Sequence, residues 1–181
     1  MIQYILLGFL NYKPMTGYEL KQLIDNSTAH FWHAHHSQIY TTLRQMERDG
    51  LVSSQFHQEE GQPSRRVYTL NESGREVLQR WLAQPLLEMT AVKEDLLLHL
   101  FFSAGRDPQK VTEELLLQRQ LHQQKLATYR VMLEKEKYAP LPPELRRDQA
   151  FWGMTLDMGI RYESMYLEWL EETLRTVASL G

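Results

Sequence analysis

The sequence predicts a mainly α-helical chain with one small β-hairpin, divided into a half of short helices and a half of long ones. Three observations carry this. Apolar residues recur at three- and four-residue steps along most of the 181 residues. The departure lies at 51–70, where two strand-like runs flank the polar stretch QEEGQPSR. Beyond residue 108 no Gly or Pro intervenes for about 30 residues, room for a helix roughly 45 Å long.

Residues 2–11 have apolar side chains at 2, 5, 6, 9 and 10, a helical spacing that ends before Pro14. Thr16 and Glu19 form a T-x-x-E capping box, opening a second helix with Tyr18, Leu20, Leu23 and Ile24. Ser37 is the expected N-cap of a third helix to about Asp49, carrying Ile39, Tyr40, Leu43 and Met46, with Gly50 as its stop. The runs 51–57 and 66–70 make the hairpin, whose connection, with Gly61 and Pro63, is too long for a two-residue turn. Asn71 caps a fourth helix to about Gln84, with Val77, Leu78, Trp81 and Leu82, and Pro85 marks the boundary between domains 1–84 and 85–181.

In the second half, 92–104 is one amphipathic segment stopped by Gly105. Asp107 and Pro108 open the long helix, and YAPLPPE at 138–144 ends it. A last helix covers 145–177. Phe151, Thr155, Met158, Tyr162, Met165 and Trp169 recur along it at steps of 4, 3, 4, 3 and 4, one heptad-like stripe expected to be buried at a helix–helix interface.

Composition narrows the function. A chain 43% hydrophobic and 24% charged is globular, not disordered. It has no cysteine, which excludes disulfides and thiolate chemistry and suits the cytoplasm. Its longest apolar run, 96–102, is interrupted by His99 and is far short of the roughly 20 residues that span a bilayer. No basic segment precedes the apolar N-terminus, so no signal peptide is expected. No G-x-S-x-G, H-E-x-x-H or Gly-rich phosphate loop occurs, so no enzyme and no cofactor are expected. The net charge of −3 is all in the second half; residues 1–84 balance eight basic against eight acidic side chains and can still carry a local basic face.

Three helices followed by a hairpin are the parts of a winged helix-turn-helix, in which the third helix enters the DNA major groove and the hairpin, or wing, meets the adjacent backbone. Ser37, Gln38, Tyr40, Thr41 and Arg44 offer the hydroxyl, amide and guanidinium groups that bond base edges and phosphates. Arg65 and Arg66, adjacent in a turn, repel each other unless something negative receives them. Glu59 and Glu60 reduce that local field. Adjacent strand residues point to opposite faces, so one arginine can serve to anchor the wing.

TGYEL at 16–20, FWHAHHSQIYTTLRQMERDGLV at 31–52 and EGQPSRRVYTLNESGREVL at 60–78 resemble, in order and spacing, the PadR family of bacterial transcription regulators. With the long two-helix second half, the resemblance is to the branch of virulence-gene activators and phenolic-acid-responsive repressors. It implies Ser37, Gln38 and Tyr40 at the DNA-facing start of the recognition helix, Tyr18 and Lys21 on the flanking backbone, and Arg65 and Arg66 in the wing. It implies a dimeric repressor of an inverted-repeat operator on double-stranded DNA, although related proteins activate. The expected homodimer surface includes Leu115, Leu126, Met158, Tyr162, Met165 and Trp169. Trp152, Met158 and Tyr162 are candidates for a small aromatic effector's pocket, since apolar and aromatic walls suit planar ligands.

Two other readings compete. One is a winged helix that binds protein; the other is a metal-responsive regulator using His30, His33, His35 and His36. Against the metal, His35 and His36 are adjacent and diverge on a helix or strand, and no paired carboxylate completes a ligand set.

Overall fold

The computed structural model describes residues 1–28, 31–58, 65–89, 93–138 and 142–180, with the side chains of 136–138 left aside. The chain forms two compact units, Met1–Thr90 and Ala91–Gly181. His30, Glu59, Glu60, Gly61 and Pro63, which figure in the sequence reading, lie outside the described residues.

The first unit runs α1 (Ile2–Leu10), β1 (Met15–Thr16), α2 (Gly17–Leu23) with a π-helical turn Ile24–Thr28, α3 (His36–Arg48), β2 (Val52–His57), β3 (Arg65–Leu70) and α4 (Glu72–Ala83). The expected capping box is formed: Thr16 Oγ1 accepts the Glu19 N–H at 3.2 Å, and Glu19 Oε2 accepts the Thr16 N–H at 2.7 Å. Helix α3 starts at His36, one residue before the expected N-cap Ser37. Gln38 makes the difference, because its Oε1 reaches back 3.1 Å to accept the His35 N–H and fixes His35 as the N-cap. Gly50, at φ 71°, closes α3 in a Schellman turn, with Leu51 N–H donating to the Met46 carbonyl at 2.8 Å and Gly50 N–H to that of Glu47 at 3.1 Å. Asn71 is the N-cap residue of α4, yet its side chain donates to the Gly50 carbonyl at 3.0 Å, as Ser73 does at 2.7 Å. The start of α4 is thereby tied to the end of α3.

The sheet is antiparallel in the order β1-β3-β2. Strand β1 was not foreseen, since two residues are too few to show alternation. One core holds the unit together: Leu6, Leu7 and Leu10 of α1, Leu20, Ile39, Leu43 and Met46, then Val52, Tyr68, Leu70 and Leu78. Trp81 stacks on Tyr4 with ring centroids 4.5 Å apart, joining α4 to α1.

The second unit runs α5 (Asp95–Phe101), a 3₁₀ turn Ser103–Gly105, α6 (Pro108–Tyr138), a 3₁₀ turn Pro143–Leu145 and α7 (Arg146–Leu180). Asp107 caps α6 as expected, its Oδ1 accepting the Gln109 N–H at 2.9 Å. Helices α6 and α7 lie antiparallel, as the pairs Arg119–Glu171 and Lys125–Glu163 require. Leu96, Val111, Leu115, Tyr166 and Leu170 form the unit's core.

The stripe on α7 is not the face that packs within the unit. Leu156, Gly159, Glu163, Tyr166 and Leu170 are the buried residues of this helix, whereas Phe151, Thr155, Met158 and Met165 are exposed and Trp169 is half-buried. The heptad-like set lies one position away from the face that packs. Leu115 and Leu126, expected at a dimer surface, are buried within their own unit.

Candidate nucleic-acid interface

Helix α3 has two faces of opposite character. Ile39, Leu43 and Met46 are buried, while Ser37, Gln38, Thr41 and Arg44 are exposed along the other side. Buried and exposed positions interleave at helical spacing, so the core holds one face while the other stays in solvent. Tyr40 sits between the faces, half-buried, with His36 against its ring at 4.5 Å. Its ring also packs on α2: a Cβ added to Gly17 would lie 2.7 Å from Tyr40 Cζ. Arg44 Nε donates to the Tyr40 carbonyl at 3.3 Å.

Beside this helix lies a cleft of about 500 Å³, lined by Thr16, Tyr18, Glu19, Gln22, Tyr40, Arg65 and Arg66. It brings together residues of α2, α3 and the loop end of the hairpin. Tyr18 is exposed, its hydroxyl accepting from Gln22 Nε2 at 3.0 Å. Lys21 forms an ion pair with Asp25 of the following π-helical turn, so part of its charge is already answered. A second cleft of about 440 Å³, lined by Met1, Ile2, Trp32, His33, Ser37, Gln38, Thr41 and Thr42, lies along the start of α3. Neither cleft includes Trp152, Met158 or Tyr162.

The two wing arginines diverge, as neighbouring strand residues must. Arg65 is exposed at the start of β3. Arg66 turns toward α3: it is ion-paired to Glu47 and its Nε donates to Ser54 Oγ at 2.8 Å. Its guanidinium carbon stands 5.4 Å from the ring centroids of both Phe56 and Tyr68. The Ser54 hydroxyl and then Arg66 hold the Glu47 carboxyl below the ordinary carboxylate range, against the opposing effect of burial. The stability from this pairing is therefore present above the ordinary carboxylate pKa and fades as pH falls through the lowered one.

Glu47 and Ser54 were missed by sequence reasoning. Only the pairing register, which sets Ser54 opposite Tyr68 and Phe56 opposite Arg66, puts them on one face. His33, His35 and His36 are exposed, and among the described residues no group of three His, Asp or Glu side chains could hold a metal ion. Among these residues no helix is long and apolar enough to cross a membrane.

Comparison with known proteins agrees with this layout. Residues 6–80 match the model of the transcriptional regulator PadR-like family, and residues 92–178 that of the virulence activator alpha C-term. A Mycobacterium tuberculosis protein named "Probable transcriptional regulator Rv1176c" is 32% identical over 166 residues, 87% of each chain. The negative transcriptional regulator PadR of Bacillus subtilis is 26% identical over 98% of this chain and 97% of its own. Its crystal structure in complex with operator DNA superposes with a TM-score of 0.82 at 25% identity, over 97% of this chain and 98% of that one. The Vibrio cholerae virulence activator AphA shares the fold, with a TM-score of 0.78 at 22% identity over the full length of both chains. On both halves, and in its relatives along nearly the whole length, the chain belongs to the PadR-like family of transcriptional regulators.

Proposed function

We propose that this regulator is a cytoplasmic repressor that binds an inverted-repeat operator as a homodimer. Ser37, Gln38, Thr41 and Arg44 of α3 read base edges in the major groove, and Tyr18, Tyr40 and Arg65 meet flanking phosphates. The observation that carries the reading is the exposed polar face of α3 beside the cleft that holds Tyr18 and Arg65. Hydroxyl, amide and guanidinium groups on one exposed helix face are the set that duplex recognition uses.

The second unit supports the dimer. Phe101 and Phe102 of the α5 end, and Phe151, Met154, Met158 and Met165 of α7, are all more than half exposed. Apolar surface on this scale is unusual for a monomer and marks an interaction surface. Repression follows the B. subtilis relative, a negative regulator spanning nearly the same length. That relative has also been solved with p-coumaric acid, and on this ground a small aromatic acid is proposed as the releasing signal.

Selecting bound fragments from a genomic DNA pool tests the reading. The expected product is an inverted repeat whose half-sites lie about 34 Å apart, one helical turn, and p-coumaric acid should release the selected duplex. Enrichment of single, unpaired half-sites would remove the dimeric reading, and retention at saturating acid would remove the effector.

A further inference from the structure

We infer that Glu47 is a positioning residue that fixes the wing to the recognition helix, and that Arg66 serves this joint and not the DNA backbone. The inference rests on the DNA-binding reading above. Glu47 lies in the last turns of α3, and both of its carboxylate oxygens are engaged by the hairpin. Ser54 Oγ, on β2, donates to Oε1; Arg66 Nη2, on β3, donates to Oε2; and Arg66 Nε donates to the same Ser54 hydroxyl at 2.8 Å. The three side chains thus close a ring of hydrogen bonds, each of them charge-assisted, a class roughly twice as strong as neutral pairs.

The aromatic side chains complete the seat. Phe56 and Tyr68 each present a ring 5.4 Å from the Arg66 guanidinium carbon, which holds the cation by its faces while Glu47 and Ser54 hold it by its edge. Glu47 already answers this guanidinium's charge, and its Nε and Nη2 are held by Ser54 and Glu47, so a phosphate gains less from it than from an arginine without such partners. Arg65 is exposed on the opposite strand face.

The joint has a mechanical consequence. The chain turn at Gly50 fixes the near end of the hairpin to α3, and the Glu47–Arg66–Ser54 ring fixes a second point farther along the strands. Pairing of β3 with β1 at Val67 and Tyr68 holds the hairpin along one edge, and the ring holds it from α3, so its angle is set from both. A wing held at its DNA-bound angle loses less freedom on binding, so affinity rises without a new contact.

Glu47→Gln separates the alternatives, measured with a random-sequence duplex because wing–phosphate contacts do not depend on sequence. The expected result is binding weaker by about fivefold with a salt dependence shallower by up to about one unit, because the wing's phosphate contact is made only part of the time. Adding Glu47→Gln to Arg65→Ala should cost nothing further, since Glu47 acts through the wing. Equal or tighter binding with a steeper slope would mean that the released Arg66 reaches phosphate, and would overturn the joint. Fully additive losses would overturn it also, by showing that Glu47 does not act through Arg65. Amide exchange in the protein alone keeps this failure distinct from failure of the DNA reading: faster exchange at 52–57 and 65–70 in Glu47→Gln supports the joint even for a protein that binds no DNA, and unchanged exchange overturns it.

Discussion

Gly74→Ala is expected to lower the melting temperature of the first unit by roughly 10 °C. A Cβ at this position would lie 2.3 Å from the Leu51 carbonyl oxygen and 2.7 Å from Leu70 Cδ1. The Leu51 backbone cannot yield, because its carbonyl accepts the Asn71 N–H at 3.0 Å while its N–H closes the α3 turn at 2.8 Å. Alanine gains about 1 kcal/mol of helix propensity over glycine. Against this, a rigid clash of this kind costs about 3 kcal/mol. The clash wins by about 2 kcal/mol, which corresponds to the stated shift for a unit of this size. Thermal unfolding followed by circular dichroism measures it. An unchanged melt would show that α4 can move away from the α3–β2 corner, contrary to the ties from Asn71 and Ser73 to Gly50.

His122→Phe is expected to destabilise the second unit by about 2 kcal/mol, as removing one partner of a buried hydrogen bond does. Glu163 is 1% exposed, although it sits in the middle of a helix–helix contact. His122 Nδ1 bonds its Oε2, and Lys125 Nζ lies 3.1 Å from its Oε1. The His122 ring stacks on Tyr166 with centroids 3.9 Å apart. Phenylalanine preserves the stack and removes the donor, which leaves one carboxylate oxygen buried without its partner. Lys125, 43% exposed, is reached by water and compensates less than a buried cation would. Adding Glu163→Leu should recover most of the loss, because a well-packed apolar replacement of a buried pair is commonly neutral. Urea unfolding of the single and double variants checks both values, and no recovery in the double variant would mean that His122 contributes packing alone.

Local signals made the order of elements legible. Thr16–Glu19, Gly50 and Asp107–Pro108 act within one turn of themselves, so each could be placed from a few residues and each is found in place. The exposed face of α3 was legible for the same reason, as the complement of Ile39, Leu43 and Met46. What depends on distant partners was not. The packed face of α7 contains Glu163, and a carboxylate at its centre hides that face from any count of apolar residues, so the neighbouring Met and aromatic stripe stood out instead. That two arginines stand together at 65 and 66 is plain from the sequence. Their separate roles follow from strand register and from Glu47, 19 residues away along the chain.

The most direct measurement is the salt dependence of duplex binding by the native protein and by Arg65→Ala. Recognition through α3 and the wing predicts a steep negative slope of log affinity against log salt, reduced by about one unit in the variant. No binding at low salt, or the same slope in both proteins, would contradict it.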